Sequence, residues 1–437
     1  MARPSLPAIA VTALFALATP ASGWRAEART SASRDWAYAL AIQPDGKLVA
    51  AGRSVGGGWR FALARYTTRG TLDPSFGRGG KAFTFVGRSS YATALAIQRD
   101  GRIVAAGQAY VGPEQDVAVV RYTPRGRLDT SFGRGGRVAT DLSPTTKTYD
   151  LARGLALQRD GKPVLAGESV SSSVGSSRRV LVRYSARGRL DRTFGEDGKV
   201  LGRAGPYEGA GGVAIQRDGK IVAGGSGRNG FFLARYTARG RIDSSFGQGG
   251  TVSTRLGSLS GAGVVVIQPD AKIVAVGSVG GDFAIARYTP AGKLDRSFGS
   301  GGKVVTNIGF ITVSGTYPSE DHARAAAIQA DGRLVVAGSS DALDVPGEKG
   351  CCLQDFALVR YTVDGRLDAS FGDGGKVLTH FVGNSYAGGV VIQRDGKIVA
   401  AGGGAGYFVL ARYTTDGKLD PTFGHGGKIR TTLRPRS

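Results

Sequence analysis

The chain has 437 residues, with 57 Lys and Arg against 34 Asp and Glu, giving a formal net charge of +23 and a sequence pI near 10.3. Two cysteines exclude a disulfide framework as the source of stability. Beyond the N-terminal segment no apolar run is long enough to span a bilayer, so the expected mature protein is exported and soluble.

Residues 1–23, MARPSLPAIAVTALFALATPASG, place Arg3 before an apolar stretch and end on small residues. That is the layout of a secretory signal with cleavage near residue 23, predicting a secreted, extracellular or cell-envelope location. A linker over 24–35 follows, then a repeat array over 36–433 and a short tail over 434–437.

The array writes one sentence seven times: a small-residue strand, a turn such as IQPDGK or IQRDGK, a strand like IVAAG, then FALARYT, LDPSFG and GGKV. The residues opening the turns are Ile42, Ile97, Leu157, Ile215, Ile267, Ile328 and Ile392, a period of about 52 to 64 residues. Units of that length cannot bury their apolar faces alone and must stack. The apolar stretches are short, rich in Val, Ile, Ala, Phe and Tyr and bounded by Gly, Pro, Asp and Ser, so they read as strands. Asp-Gly in the first turn marks a hairpin, and FALARYT and GGKV supply a third and fourth strand. Four antiparallel strands repeated radially predict an all-β, seven-bladed β-propeller, with the smallest strand, the first, nearest the axis.

These motifs resemble the delta-60 repeat family of bacterial proteins, whose units read AIQxDGKIVAAG, FALARYxxxGxLDxSFGxGGxV. The resemblance covers residues 36 to 433 and implies a propeller-like extracellular repeat array; it brings no activity, catalytic residue or cofactor with it.

What recurs in every copy reads as architecture. Arg65, Arg121, Arg183, Arg235, Arg287, Arg360 and Arg412 each precede a tyrosine, and Asp73, Asp129, Asp191, Asp243, Asp295, Asp368 and Asp420 follow in the LD motif. An intrablade Arg–Asp pair is expected. The turn aspartates, Asp45 to Asp395, are expected to accept their own downstream backbone N–H. Ala271 replaces the turn glycine in the fifth copy, at a left-handed position costing about 1 kcal/mol.

In a four-strand meander the first and third connections share one face. That regular face is expected to be basic, with Arg99, Arg159, Arg217 and Arg394 beside the DGK turns and Arg69, Arg125, Arg187 and Arg239 in the next connection as candidate binding residues. The opposite, variable face takes the insertions over 141–150, 168–179, 309–322 and 339–355, which bring acidic residues such as Glu168 and Glu348. Glu320, Asp321 and His322 with Asp341 and Asp344 form the best local cluster for a divalent cation, but no established calcium-loop spacing is present and a solvated polar loop is the expected reading. Cys351 and Cys352 are adjacent, so a bridge between them would be strained.

The three histidines, His322, His380 and His425, sit in no metal-protease, nucleophile-elbow or phosphate-loop motif. The reading is a monomeric, non-catalytic binding or scaffold module without cofactor, whose partner is an anionic cell-envelope or extracellular polymer or another protein. Nucleic acid is the weakest partner, since no basic helix or stacking motif accompanies the charge. The alternative is a propeller polysaccharide lyase or hydrolase acting from the variable face.

Overall fold

The computed structural model describes residues 34–143, 147–172, 176–205, 209–227, 230–257, 261–311, 317–341 and 353–433. The signal segment, Asp344, Glu348, Cys351 and Cys352 lie outside them.

Each repeat folds into an antiparallel meander. In the first, β1 (Trp36–Ile42), β2 (Leu48–Val55), β3 (Trp59–Tyr66) and β4 (Lys81–Thr84) lie side by side in chain order. Six further four-stranded meanders follow, with first strands Ser89–Ile97, Thr148–Leu157, Gly209–Ile215, Gly261–Ile267, His322–Ile328 and Ser385–Ile392. The fourth and fifth are also joined edgewise by a single bridge, Ser226 to Gly261. No helix occurs among the described residues.

Both faces of each sheet are buried, which is why the strands are apolar at consecutive positions. Along β1 and β2, Ala39, Ala41, Val49 and Ala51 pack with Ala92, Leu95 and Ile103 of the second sheet. Ala37, Leu40, Leu48 and Ala50 face the other way, onto Val391, Val399, Phe408 and Leu410 of the seventh. Each first strand touches the first strand of the next sheet, the seventh against β1 included. The first strands are therefore innermost.

Neighbouring sheets are tied by recurring bonds as well as by packing. The amide of Gly77 donates to the carbonyl of Arg125 at 2.8 Å, and the same bond joins Gly133 to Arg187, Gly195 to Arg239, Gly247 to Ala291, Gly299 to Asp364 and Gly372 to Asp416. Gly424 donates to Arg69 at 3.1 Å, so the seventh sheet holds the first as the others hold their neighbours. Buried Asp35 completes that seam by accepting from the Leu433 amide at 2.9 Å. In six sheets the tyrosine ending the third strand donates across the junction to a threonine of the preceding sheet, as Tyr66 does to Thr431 at 2.9 Å.

All seven first strands carry a β-bulge, marked in the first sheet by the register skip between Ala37 and Ala39. The bulge explains the glycine of the IVAAG motif. A Cβ on Gly52 would lie 1.8 Å from the Trp36 carbonyl oxygen, and Gly107, Gly167, Gly225, Gly277, Gly338 and Gly402 meet the same obstruction.

Candidate functional site

The DGK turn and the LDxSFG connection lie on one face, and a charged staple joins them. In the fifth sheet Arg287 Nε meets Asp295 Oδ2 at 2.8 Å, and Lys272 of the turn meets the same oxygen at 3.1 Å. The guanidinium also donates to Ser297 Oγ and to the carbonyl of Val363 in the next sheet, and lies 4.4 Å from the Phe298 ring centre. The arrangement repeats at Arg65–Asp73, Arg121–Asp129, Arg183–Asp191, Arg235–Asp243, Arg360–Asp368 and Arg412–Asp420. Burial alone would raise Asp73 and Asp191. Hydrogen bonds from Ser75 and Thr193 and the cations Lys47 and Lys162 instead hold both down at about 2. These fourteen residues are engaged in holding sheets together.

Sequence reasoning missed two parts of the staple: the turn Lys or Arg as second cation, and the reach of the arginine to the neighbouring sheet. A cavity of about 590 Å³ beside the fifth and sixth sheets is lined by such staple residues, among them Lys272, Arg287, Asp331 and Arg333.

All eight regular-face arginines, Arg69, Arg99, Arg125, Arg159, Arg187, Arg217, Arg239 and Arg394, are exposed. Arg394 donates across the seam to the Pro44 carbonyl at 3.2 Å. The other seven belong to the first four sheets, where Arg127, Arg189 and Arg241 are exposed beside them. The corresponding positions elsewhere are mostly neutral or acid-compensated, with exposed Lys293 of the fifth sheet and Arg394 of the seventh as the exceptions. The fifth sheet has Pro269 and Ala291, the sixth pairs Arg366 with Asp364 at 3.1 Å, and the seventh pairs Lys418 with Asp416 at 3.1 Å. The basic surface is thus densest in an arc over four adjacent sheets. No recurring feature of the repeat announces it, because it arises from positions where the copies differ.

On the variable face the proposed cation cluster is dispersed into local roles among the described residues. Asp321 is buried and accepts from the Ile308 amide at 2.6 Å and Ser319 Oγ at 2.7 Å, and burial pushes it up to about 6. It ties a linker to a first strand just as Asp35 and Asp150 do. Asp341 accepts from the Glu320 amide, and burial and the neighbouring Arg324 push His322 below its ordinary value. The carboxylates that do converge are Asp116, Asp141 and Asp150, whose ligand atoms lie within 4.8 Å of one another. Burial, reinforced by the charges of Asp141 and Asp150, pushes Asp116 up to about 6. The three come from different strand ends, so no sequence spacing signals them.

Four-stranded meanders stacked face to face about innermost first strands define a β-propeller repeat protein. Seven segments, residues 43–76, 98–132, 158–194, 216–246, 268–298, 353–371 and 393–423, match a family model described as "Domain of unknown function (DUF5122) beta-propeller", and the chain is built of repeats of that family. No curated protein matches the chain. Among solved structures it is similar to a protein from Lactobacillus plantarum at 13% identity and a TM-score of 0.48, covering 86% of this chain and 94% of that one. It is similar to Sqt1 from Chaetomium thermophilum bound to the N-terminus of ribosomal protein L10, at 14% identity and 0.39, covering 84% and 95%. Polysaccharide lyase Uly1 is similar at 11% identity and 0.36, covering 98% and 89%. No helix among the described residues is long and apolar enough to cross a membrane.

Proposed function

We propose that this protein is an exported, non-catalytic binding module, a closed seven-bladed propeller that takes an anionic extracellular or cell-envelope polymer on the regular face. The observation that carries the reading is the arginine arc. Blades two, three and four each present exposed arginines at the three arc positions, Arg99, Arg125 and Arg127 in the second, and none of these nine pairs with a described acid. Blades six and seven instead pair Arg366 and Lys418, at the positions of Arg127, with Asp364 and Asp416. A contiguous cationic strip on a rigid scaffold attracts an extended polyanion and registers it along the arc. The array supplies the rigidity, since every blade is stapled to the next by Arg, Asp and backbone bonds that leave the arc arginines uncommitted. Export rests on the N-terminal signal.

Retention of the mature protein on immobilised dextran sulfate and on dextran, across a salt series, tests this. The expected result is retention on the sulfated polymer alone, falling steeply as salt shortens the Debye length from about 30 Å at 0.01 M to about 8 Å at 0.15 M. Absence of retention at low salt, or equal retention on both polymers, overturns it.

A further inference from the structure

The bulged residue of each innermost strand stands at a structurally fixed position, yet it differs from blade to blade: Tyr38, Thr93, Arg153, Gly211, Gly263, Arg324 and Gly388. A bulge leaves its residue outside the ladder and re-aims the side chain, here at the end of the axis away from the DGK turns. Three of the seven positions carry no side chain, and Tyr38 meets aromatic rings of the neighbouring blades. The Tyr38 ring lies 6.3 Å from Tyr386 and 6.2 Å from Tyr91, and Trp36 lies 5.0 Å from Tyr386.

Guanidinium groups enter this aromatic mouth from three blades. Arg153 is satisfied by Glu168, its Nε 3.0 Å from Oε1. Arg53 and Arg324 are not satisfied in this way. Arg53 sits 3.7 Å from the Trp59 ring centre and 5.3 Å from that of Trp36, and Arg324 sits 4.9 Å from Tyr386. Neither forms a hydrogen bond or ion pair with a described residue, and the Nε of each is shut away from solvent. A guanidinium carries five N–H donors, and ring faces offset only part of what burial removes. Buried donors are almost always paired, so two of them left open side by side point to an acceptor arriving from outside. Arg53 also lies 5.7 Å from the Tyr38 ring centre, and the Tyr38 and Tyr386 rings are 6.3 Å apart, which places both guanidinium groups around one spot.

We propose that the axial mouth on the variable face binds a carboxylate carried on a ring, of the uronic acid class. The carboxylate accepts from Arg53 and Arg324, and the ring lies against Trp36, Tyr38 and Tyr386. The site is on the opposite end of the axis from the arginine arc and stands without it.

Two tryptophans, Trp36 and Trp59, flank Arg53, so once the third, Trp24, is replaced in a Trp24→Phe background, intrinsic fluorescence of the full mature chain reads the site. Titration with glucuronate is expected to give a saturable change and titration with glucose none. Arg53→Gln and Arg324→Gln are expected to weaken glucuronate binding at least tenfold, while Arg296→Gln, an exposed residue of the fifth blade outside the arc, leaves it unchanged. Glucose binding as well as glucuronate, no response to either, or wild-type affinity in both glutamine variants overturns the proposal. If those variants do not fold, quenching of the Trp24→Phe chain decides. Iodide is expected to quench the tryptophans more strongly than caesium, and competition by glucuronate is expected to abolish that preference. Equal quenching by the two ions, or an iodide preference that glucuronate leaves intact, contradicts it.

Discussion

Arg287→Gln removes one arm of a staple that joins three places at once. The Arg287 side chain is 3% exposed and holds Asp295 at 2.8 Å, Ser297 Oγ at 3.2 Å and the carbonyl of Val363 in the next blade. Breaking a buried pair by removing one partner costs about 3–5 kcal/mol, chiefly through the charge left behind. Asp295 keeps Lys272 at 3.1 Å and the Ser297 hydroxyl at 2.7 Å, so the low end, about 3 kcal/mol, is expected. Lys272→Ala removes the more exposed cation and should cost no more than about 1 kcal/mol. Urea unfolding followed by circular dichroism measures both, with the shift in midpoint read at unchanged slope. If the two variants are equally mild, or if Lys272→Ala is the worse, the assignment of the arginine as the interblade staple is refuted.

Ala271 occupies its turn with φ of 68°, so Ala271→Gly should stabilise by about 1 kcal/mol, read as a higher urea midpoint. Tyr361 donates to Thr306 at 2.9 Å, and Tyr361→Phe should cost about 1 kcal/mol. Gly202 stands where the other blades place that threonine, so Tyr236→Phe should cost no more than a few tenths of a kcal/mol in the same assay. The carboxyl of Asp116 is pushed up to about 6 by burial and its acidic neighbours, so the folded chain binds that proton more tightly than the unfolded chain. Its stabilising contribution is complete below the unfolded value of about 4 and is lost as pH rises through about 6. Asp116→Asn should therefore raise the melting temperature at pH 7.5 and change it little at pH 4, and equal effects at both would contradict the cluster.

Much of the fold was legible because the same residues recur seven times. The hairpin follows from Asp-Gly, with Gly46 at φ of 83° and Asp45 Oδ1 accepting the Lys47 amide at 3.1 Å. Arg65 and Asp73 could be paired from their fixed spacing, since both belong to one repeat. Contacts between repeats were harder, because spacing within a unit does not encode which carbonyl of the next unit an arginine reaches. The closing seam was of this kind: Asp35 and Leu433 meet only through the curvature that seven stacked sheets accumulate.

The arc and the axial mouth were legible only in part. All eight regular-face arginines could be assigned to a face by strand parity, but their concentration in four blades emerges only when the acid-paired positions Asp364 and Asp416 are set beside Arg125 and Arg187. Arg53 and Arg324 lie in different blades far apart in the chain, on strands where a polar residue reads as an exception to an apolar pattern. The bulge that turns Arg324 inward leaves no local sequence mark except the glycine opposite it, Gly338.

The most direct test of the proposed function compares two triple variants of equal charge on dextran sulfate at fixed salt. Arg99, Arg159 and Arg217 changed to Glu lie in the arc, whereas Lys293, Arg296 and Arg366 changed to Glu lie on the same face in blades five and six. Loss of retention in the first and near wild-type retention in the second is the predicted result. Equal retention in both would mean that net charge alone, and not the arc, governs what this propeller binds.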